Sequence, residues 1–133
     1  MSELPGFTHL LATIARLRAV DGCPWDRKQT TESMAPHLIE EAFEAADALR
    51  RGATRQAKEE LGDVLVNVTM ISQIASEAGE FAADEVAQAA SDKLIRRHPH
   101  VFGDAQADSA EIAYKTWEKQ KQREKQAAGE DRS

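Results

Sequence analysis

Two acidic clusters carry the chemistry this chain could do: EEAFEAAD, Glu40 to Asp47, and EELGD, Glu59 to Asp63. Glu41 and Glu44 are three residues apart, as are Glu60 and Asp63, so on a helix that turns once in about 3.6 residues each pair shares a face. Carboxylates presented one turn apart by two antiparallel helices can supply four ligands around one or two hard divalent cations. Oxygen-only ligation points to Mg²⁺ or Mn²⁺, ions commonly used with phosphate substrates. The chain has no Glu-x-x-His, the motif that di-iron carboxylate bundles use.

The elements that must position these acids read as helices nearly throughout. Phe7, Leu10, Leu11, Ile14 and Leu17 recur at spacings of three and four, which predicts a first amphipathic helix ending near Asp21 to Pro24. A second runs to about Arg51, with Thr30, Thr31 and Ser33 as caps, Pro36 in its first turn and Gly52 as its stop. A third is expected from a Thr54 cap to Gly79, and a fourth from Ala82 to Arg97, broken where Pro99 disfavours helix at His98. Asp108 and Glu111 form a capping box for a fifth. From Gln120 the apolar stripe is lost, so a domain over residues 1–121 is expected, with a disordered tail over 122–133. No run alternates like a strand, and the fold class is all-α: an antiparallel bundle of about five helices.

The two acidic helices differ. Around the second, Leu38, Ile39, Ala42, Phe43, Ala45, Ala46 and Leu49 fill one arc, and Glu40, Glu41, Glu44 and Asp47 lie opposite. Alone, that is a surface helix with a wet acidic face. On the third, Glu60, Asp63 and Asn67 share a stripe that continues as Met70, Ile71 and Ile74, with Leu61, Val64, Leu65, Val66, Val68 and Ala75 around it. A helix apolar on nearly every side is expected to be covered, and buried carboxylates then need cations close by. Arg55 and Lys58 are too few to compensate them.

Composition narrows the partners. A net charge of −6 over 133 residues argues against holding nucleic acid by its phosphates. No run approaches the roughly 18 apolar residues of a membrane span, and the N-terminal MSELPGFTHLL does not read as a signal segment, so a cytoplasmic location is expected. The single cysteine, Cys23, excludes an intrachain disulfide.

EEAFE followed by EELGD resembles the EExxE…ExxD pattern of the MazG nucleotide pyrophosphohydrolases, and CPWDRKQT and KLIRRHPHVFGD resemble two further blocks of that family. The likeness spans about Phe7 to Lys121. It implies hydrolysis of nucleoside triphosphates between the α and β phosphates, with Mg²⁺, to nucleoside monophosphate and pyrophosphate, by a homodimer or homotetramer. By position, Glu41, Glu44, Glu60 and Asp63 are the implied metal ligands, with Glu41 also at the catalytic centre. Glu40 is implied as a further ligand or the base that orients the attacking water.

Lys93, Arg96 and Arg97 give a cationic helical edge that either complements a helix C-terminus or, as the resemblance implies, meets the phosphates. Trp25 and Trp117 could each stack on a base or plug the core. The resemblance implies nucleotide contacts for Trp117 and Lys121; His37, one turn before Glu41, could lie near the nucleotide. His98 and His100 read as loop-ordering hydrogen-bond partners. Competing functions are hydrolysis of phosphoribosyl-ATP or of a dedicated pyrimidine nucleotide, and a non-catalytic acidic module that recruits a basic protein.

Overall fold

The computed structural model describes residues 3–129. Those residues form helices and no strand: α1 (Pro5–Leu17), α2 (Pro24–Arg27), α3 (Thr31–Arg50), α4 (Thr54–Glu77), α5 (Ala83–Arg97), α6 (Pro99–Phe102) and α7 (Ala110–Ala128). The chain is all-α, as its periodicity predicts. The short α2 and α6, of 4 residues each, escape that analysis because one turn has no apolar stripe to register.

Local chemistry sets the helix ends, and it moves several of the expected ones. The Thr30 hydroxyl accepts the Ser33 N–H at 3.0 Å and the Ser33 hydroxyl accepts the Thr30 N–H at 2.8 Å, a reciprocal cap that starts α3 early. Pro36 therefore lies inside α3 rather than in its first turn; its missing N–H costs one bond, to the carbonyl of Glu32 at the exposed start of the helix. Thr54 is the first residue of α4 and not its cap, which is Ala53, with no side-chain bond. Ser109, rather than Asp108, caps α7, its hydroxyl accepting from the Ile112 N–H at 3.2 Å. Gly52 and Gly79, at φ 69° and 74°, end α3 and α4 in the left-handed conformation that glycine adopts without strain. Past Gln120 the helix continues to Ala128: Glu124 pairs with Arg96 and Arg97, and these ion pairs replace the missing apolar stripe. The rest of the expected tail, 130–133, lies outside the described residues.

The chain divides into two compact units, one ending at Ala83 and the other beginning at Asp84. In the first, Ile14, Met34 and Met70 form the core, joined by Leu10, Ile71 and Ile74. The short connection from Arg51 to Ala53 turns the chain back on itself, and α3 and α4 pack along each other as an antiparallel hairpin. The inward stripe of α3 is Met34, Leu38, Glu41, Ala45 and Ala48; that of α4 is Ala57, Glu60, Val64, Asn67 and Ile71. Both step by three and four residues, and each carries a glutamate inside a row that is otherwise apolar apart from Asn67 on α4.

Two expectations change here. The apolar arc of α3 is divided: Ala45 and Ala48 face in, whereas Ile39 and Phe43 are 72% and 73% exposed. Nor is α4 covered on every side: α1 and α3 pack against it, and Leu61, Val66 and Val68 are exposed. Thr69 and Ser72 are buried instead. Their hydroxyls donate to the carbonyls of Leu65 and Val68 one turn back, at 2.9 and 2.8 Å, which removes the penalty for burying them.

Arg18 ties the first unit together. Its side chain, 9% exposed, meets the Glu77 carboxylate through Nη2 at 2.5 Å and Nε at 3.1 Å. It also donates to the carbonyls of Asp26 and Gln29 at 2.6 and 3.0 Å, fixing the α2 loop between α1 and α4. The second unit holds α5, α6 and α7. His98 leaves helical geometry before Pro99, with φ −123° and ψ 58°, and its Nδ1 lies 2.6 Å from the Leu94 carbonyl.

No helix among the described residues is long and apolar enough to cross a membrane.

Candidate active site

Antiparallel register brings the two inward glutamates together. Glu41, Glu60 and Asp63 each offer a carboxylate oxygen, and these atoms lie within 4.8 Å of one another. Glu41 and Glu60 are half-buried and Asp63 is exposed, so the cluster opens at the Asp63 edge. Oε2 of Glu41 and Oε2 of Glu60 are shielded from solvent and have no hydrogen-bond partner. Asn67, one turn beyond Asp63, donates its Nδ2 to the Asp63 carbonyl at 2.9 Å and leaves its own buried Oδ1 unpartnered.

Electrostatics at the cluster are adverse for anions alone. Desolvation, and then repulsion from Asp63, Glu60 and Glu40, raises the pKa of Glu41, while His37 pulls it down. Glu60 is likewise raised by desolvation, by the charge of Glu44 and a hydrogen bond with the Glu44 carboxyl, and by Asp63; a hydrogen bond from Gln56 opposes the shift. Gln56 in turn accepts from Arg51 Nη2 at 3.0 Å. Shielded carboxylate oxygens without partners, in a set made only of oxygen donors, fit a hard divalent cation.

The sequence-derived residues therefore fall into groups. Glu41, Glu60 and Asp63 converge, and Glu44 is exposed beside Glu60 rather than among the three. Glu40 and His37 are exposed on α3 and act on the charge of Glu41. The ring of Trp25 stands edge-on to His37 with centroids 6.0 Å apart; Trp25 is 50% exposed, so it does not plug a core. Asp47 is solvated and pairs with Arg51 at 3.0 Å.

The cationic residues gather within the second unit. Arg97 Cζ lies 5.5 Å from the centroid of Trp117, and Lys121 Nζ lies 5.0 Å from it, so this indole is flanked by two cations. Tyr114 sits 5.7 Å from Trp117, centroid to centroid. Arg96 and Arg97 both pair with Glu124, while Lys93 is exposed on α5. Glu124 and Arg18 carry no signal in the sequence pattern, since their ion-pair partners are 27 to 59 positions away and no spacing rule connects them. Asn67 shares the stripe of Glu60 and Asp63, so its place beside the acids follows from spacing alone.

Comparison with known proteins gives the family and the fold. The profile of the MazG nucleotide pyrophosphohydrolase domain matches residues 29–102, which contain α3, α4 and both acidic clusters. The nucleoside triphosphate pyrophosphohydrolase/pyrophosphatase MazG of Thermotoga maritima is 48% identical over 119 residues, 90% of this chain and 45% of that protein. The nucleoside triphosphate pyrophosphohydrolase of Escherichia coli is 42% identical over 117 residues, 87% of this chain and 44% of its own length. The chain thus spans less than half the length of these relatives. A crystal structure of a MazG-related protein from Thermotoga maritima superposes with a TM-score of 0.70 at 27% identity, covering 86% of this chain and 98% of that one.

Proposed function

The chain belongs to the MazG nucleotide pyrophosphohydrolase family, and from that premise we propose that it hydrolyses nucleoside triphosphates between the α and β phosphates to nucleoside monophosphate and pyrophosphate. The observation that carries this proposal is the convergence of three carboxylates within 4.8 Å, two of them with shielded, unpartnered oxygens. Glu41, Glu60 and Asp63 would hold Mg²⁺, or Mn²⁺ in its place, with Glu44 completing the set from its position against Glu60. When bound, the cation supplies charge neutralisation for the phosphate oxygens.

The protein's own groups do the positioning. Glu40, whose charge is felt at Glu41, serves as a further ligand or as the base that orients the attacking water. His37, beside Glu41, and the cationic group Lys93, Arg96, Arg97 and Lys121 with Trp117 are assigned to the nucleotide, the cations to its phosphates. The domain responsible is residues 1–121. Exposed Ile39, Phe43, Leu61, Val66 and Val68 on α3 and α4 support assembly as a homodimer or homotetramer, because apolar surface on facing helices is stabilised when covered.

The test is a panel of nucleoside triphosphates incubated with the protein and Mg²⁺. Equal amounts of monophosphate and pyrophosphate are expected, and no release once the cation is chelated. Orthophosphate as the sole inorganic product, or no turnover of any nucleotide, would sink the proposal.

A further inference from the structure

Glu124 lies one turn beyond Lys121 on α7, and its carboxylate takes two arginines at once. Arg97 approaches as a fork, Nη2 to Oε1 at 3.0 Å and Nε to Oε2 at 3.3 Å, and Arg96 Nε reaches the same Oε2 at 3.4 Å. The side chains of Arg97 and Glu124 are 15% and 23% exposed, so this contact is partly withdrawn from solvent. The guanidinium of Arg97 also stands by the face of Trp117, which fixes its plane.

A guanidinium fork that fits a carboxylate fits a phosphate equally well, because both present two oxygens in a plane. The edge of Arg97 that offers Nε and Nη2 is already filled by this chain's own anion. We propose that Glu124 is a resident competitor for the Arg96–Arg97 fork, displaced by the polyphosphate of an incoming nucleotide and thereby setting its affinity. Glu124 acts through the arginines and is a positioning residue, not a catalytic one. A single phosphate offers little in exchange for the lost ion pairs, whereas a chain of phosphates brings several charges, so the device discriminates by polyphosphate length. The proposal rests on the assignment of Arg96 and Arg97 to phosphates.

The test compares Glu124→Gln, which keeps the shape and one acceptor but loses the charge, with the unaltered protein. Inorganic tripolyphosphate binding, measured by calorimetry on the full chain, is expected to tighten by about 5- to 10-fold at low salt, with the gain shrinking as ionic strength rises. The KM for nucleoside triphosphate should fall by more than kcat changes. Unchanged or weaker tripolyphosphate binding in a variant of normal helix content would overturn the proposal and leave Glu124 as an anchor of α7. Should Glu124→Gln lose helix content, Glu124→Asp, which draws the carboxylate back while keeping its charge, must still tighten binding or the idea fails. Arg97→Ala separates the two assignments. Binding that survives it removes phosphates from the fork altogether, whereas binding lost in Arg97→Ala but unaltered in Glu124→Gln defeats only the role of Glu124. Tightening without any nucleotide hydrolysis would uphold this role and defeat the hydrolase proposal.

Discussion

The acidic cluster of α3 and α4 and the ion cluster of α5 and α7 contain the same kind of carboxylate in opposite circumstances. Glu41 and Glu60 have acids for neighbours and a raised pKa, whereas Glu124 has two arginines, whose hydrogen bonds and charge lower its own. The carboxylates of one cluster repel one another, while the carboxylate of the other has its charge met by arginines of the same chain. The difference teaches where ligands belong. Crowded acids without a cation at a half-buried site make that site a candidate for an outside cation, whereas arginines already engaged by a carboxylate can take an anion on the same edge only by giving up a contact they already have.

The sharpest way to break this comparison is to relieve the crowding of the acids. Replacing Glu41 by Gln or Asp63 by Asn is expected to lower turnover on the order of 100-fold or more, since each removes a proposed ligand. Helix content should hold, because neutralising one of several crowded acids relieves repulsion. Pyrophosphate release and circular dichroism check the two halves of this statement, and turnover retained in the double variant would refute the ligand set. At the arginine cluster, Arg97→Ala is expected to raise KM roughly 10- to 100-fold, the scale of a charge-assisted bidentate contact. An unchanged KM would detach the second unit from substrate binding.

How far the sequence foretold this contrast depends on whether the partners are local. Glu60 and Asp63 were legible because three-residue spacing fixes a shared helical edge whatever surrounds it. The inward face of α3 was less so. Its apolar arc is broad enough to be turned either way, and only packing against α4 selected Met34, Leu38, Glu41, Ala45 and Ala48 over Ile39 and Phe43. The expected burial of α4 failed for a related reason: packing against α1 and α3 turns Thr69 and Ser72 inward, where their hydroxyls satisfy themselves on their own helix, and leaves Leu61, Val66 and Val68 exposed. Glu124 stands in KQKQREKQ, where composition alone suggests a solvated end, and its role comes from Arg96 and Arg97 on another helix.

Stability against pH should separate the clusters by sign. With pKa values raised in the folded state, Glu41 and Glu60 destabilise the protein increasingly as pH climbs from the ordinary carboxylate value through their raised values. Glu124 is the reverse. Its stabilising effect is present above the ordinary carboxylate value and is lost as pH falls through its lowered folded pKa. Thermal melts from acid to neutral pH in a chelating buffer are expected to show the loss on rising pH diminish in Glu41→Gln, and the loss on acidification diminish in Glu124→Gln. Adding Mg²⁺ to the unaltered protein should raise its melting temperature most at neutral pH. Identical pH profiles in all three proteins would show that the two clusters do not differ in the way described.

The smallest effect is expected at Asp47, which tests whether acidity alone is enough. It lies on the same helix as Glu41 and Glu44, but it is well solvated and its partner is Arg51, in an i,i+4 ion pair at 3.0 Å with both side chains about half exposed. Such pairs contribute only about 0.3–0.5 kcal/mol. Arg51 would keep its second contact, to Gln56 Oε1 at 3.0 Å, so the hydrogen bond that Gln56 makes to Glu60 need not move. Asp47→Asn is therefore expected to change stability by no more than about 0.5 kcal/mol and to leave turnover within about twofold of the unaltered protein. A loss of turnover approaching that of Glu41→Gln would mean that the whole acidic face of α3 acts as one field, and that the convergence of Glu41, Glu60 and Asp63 is not what distinguishes the site.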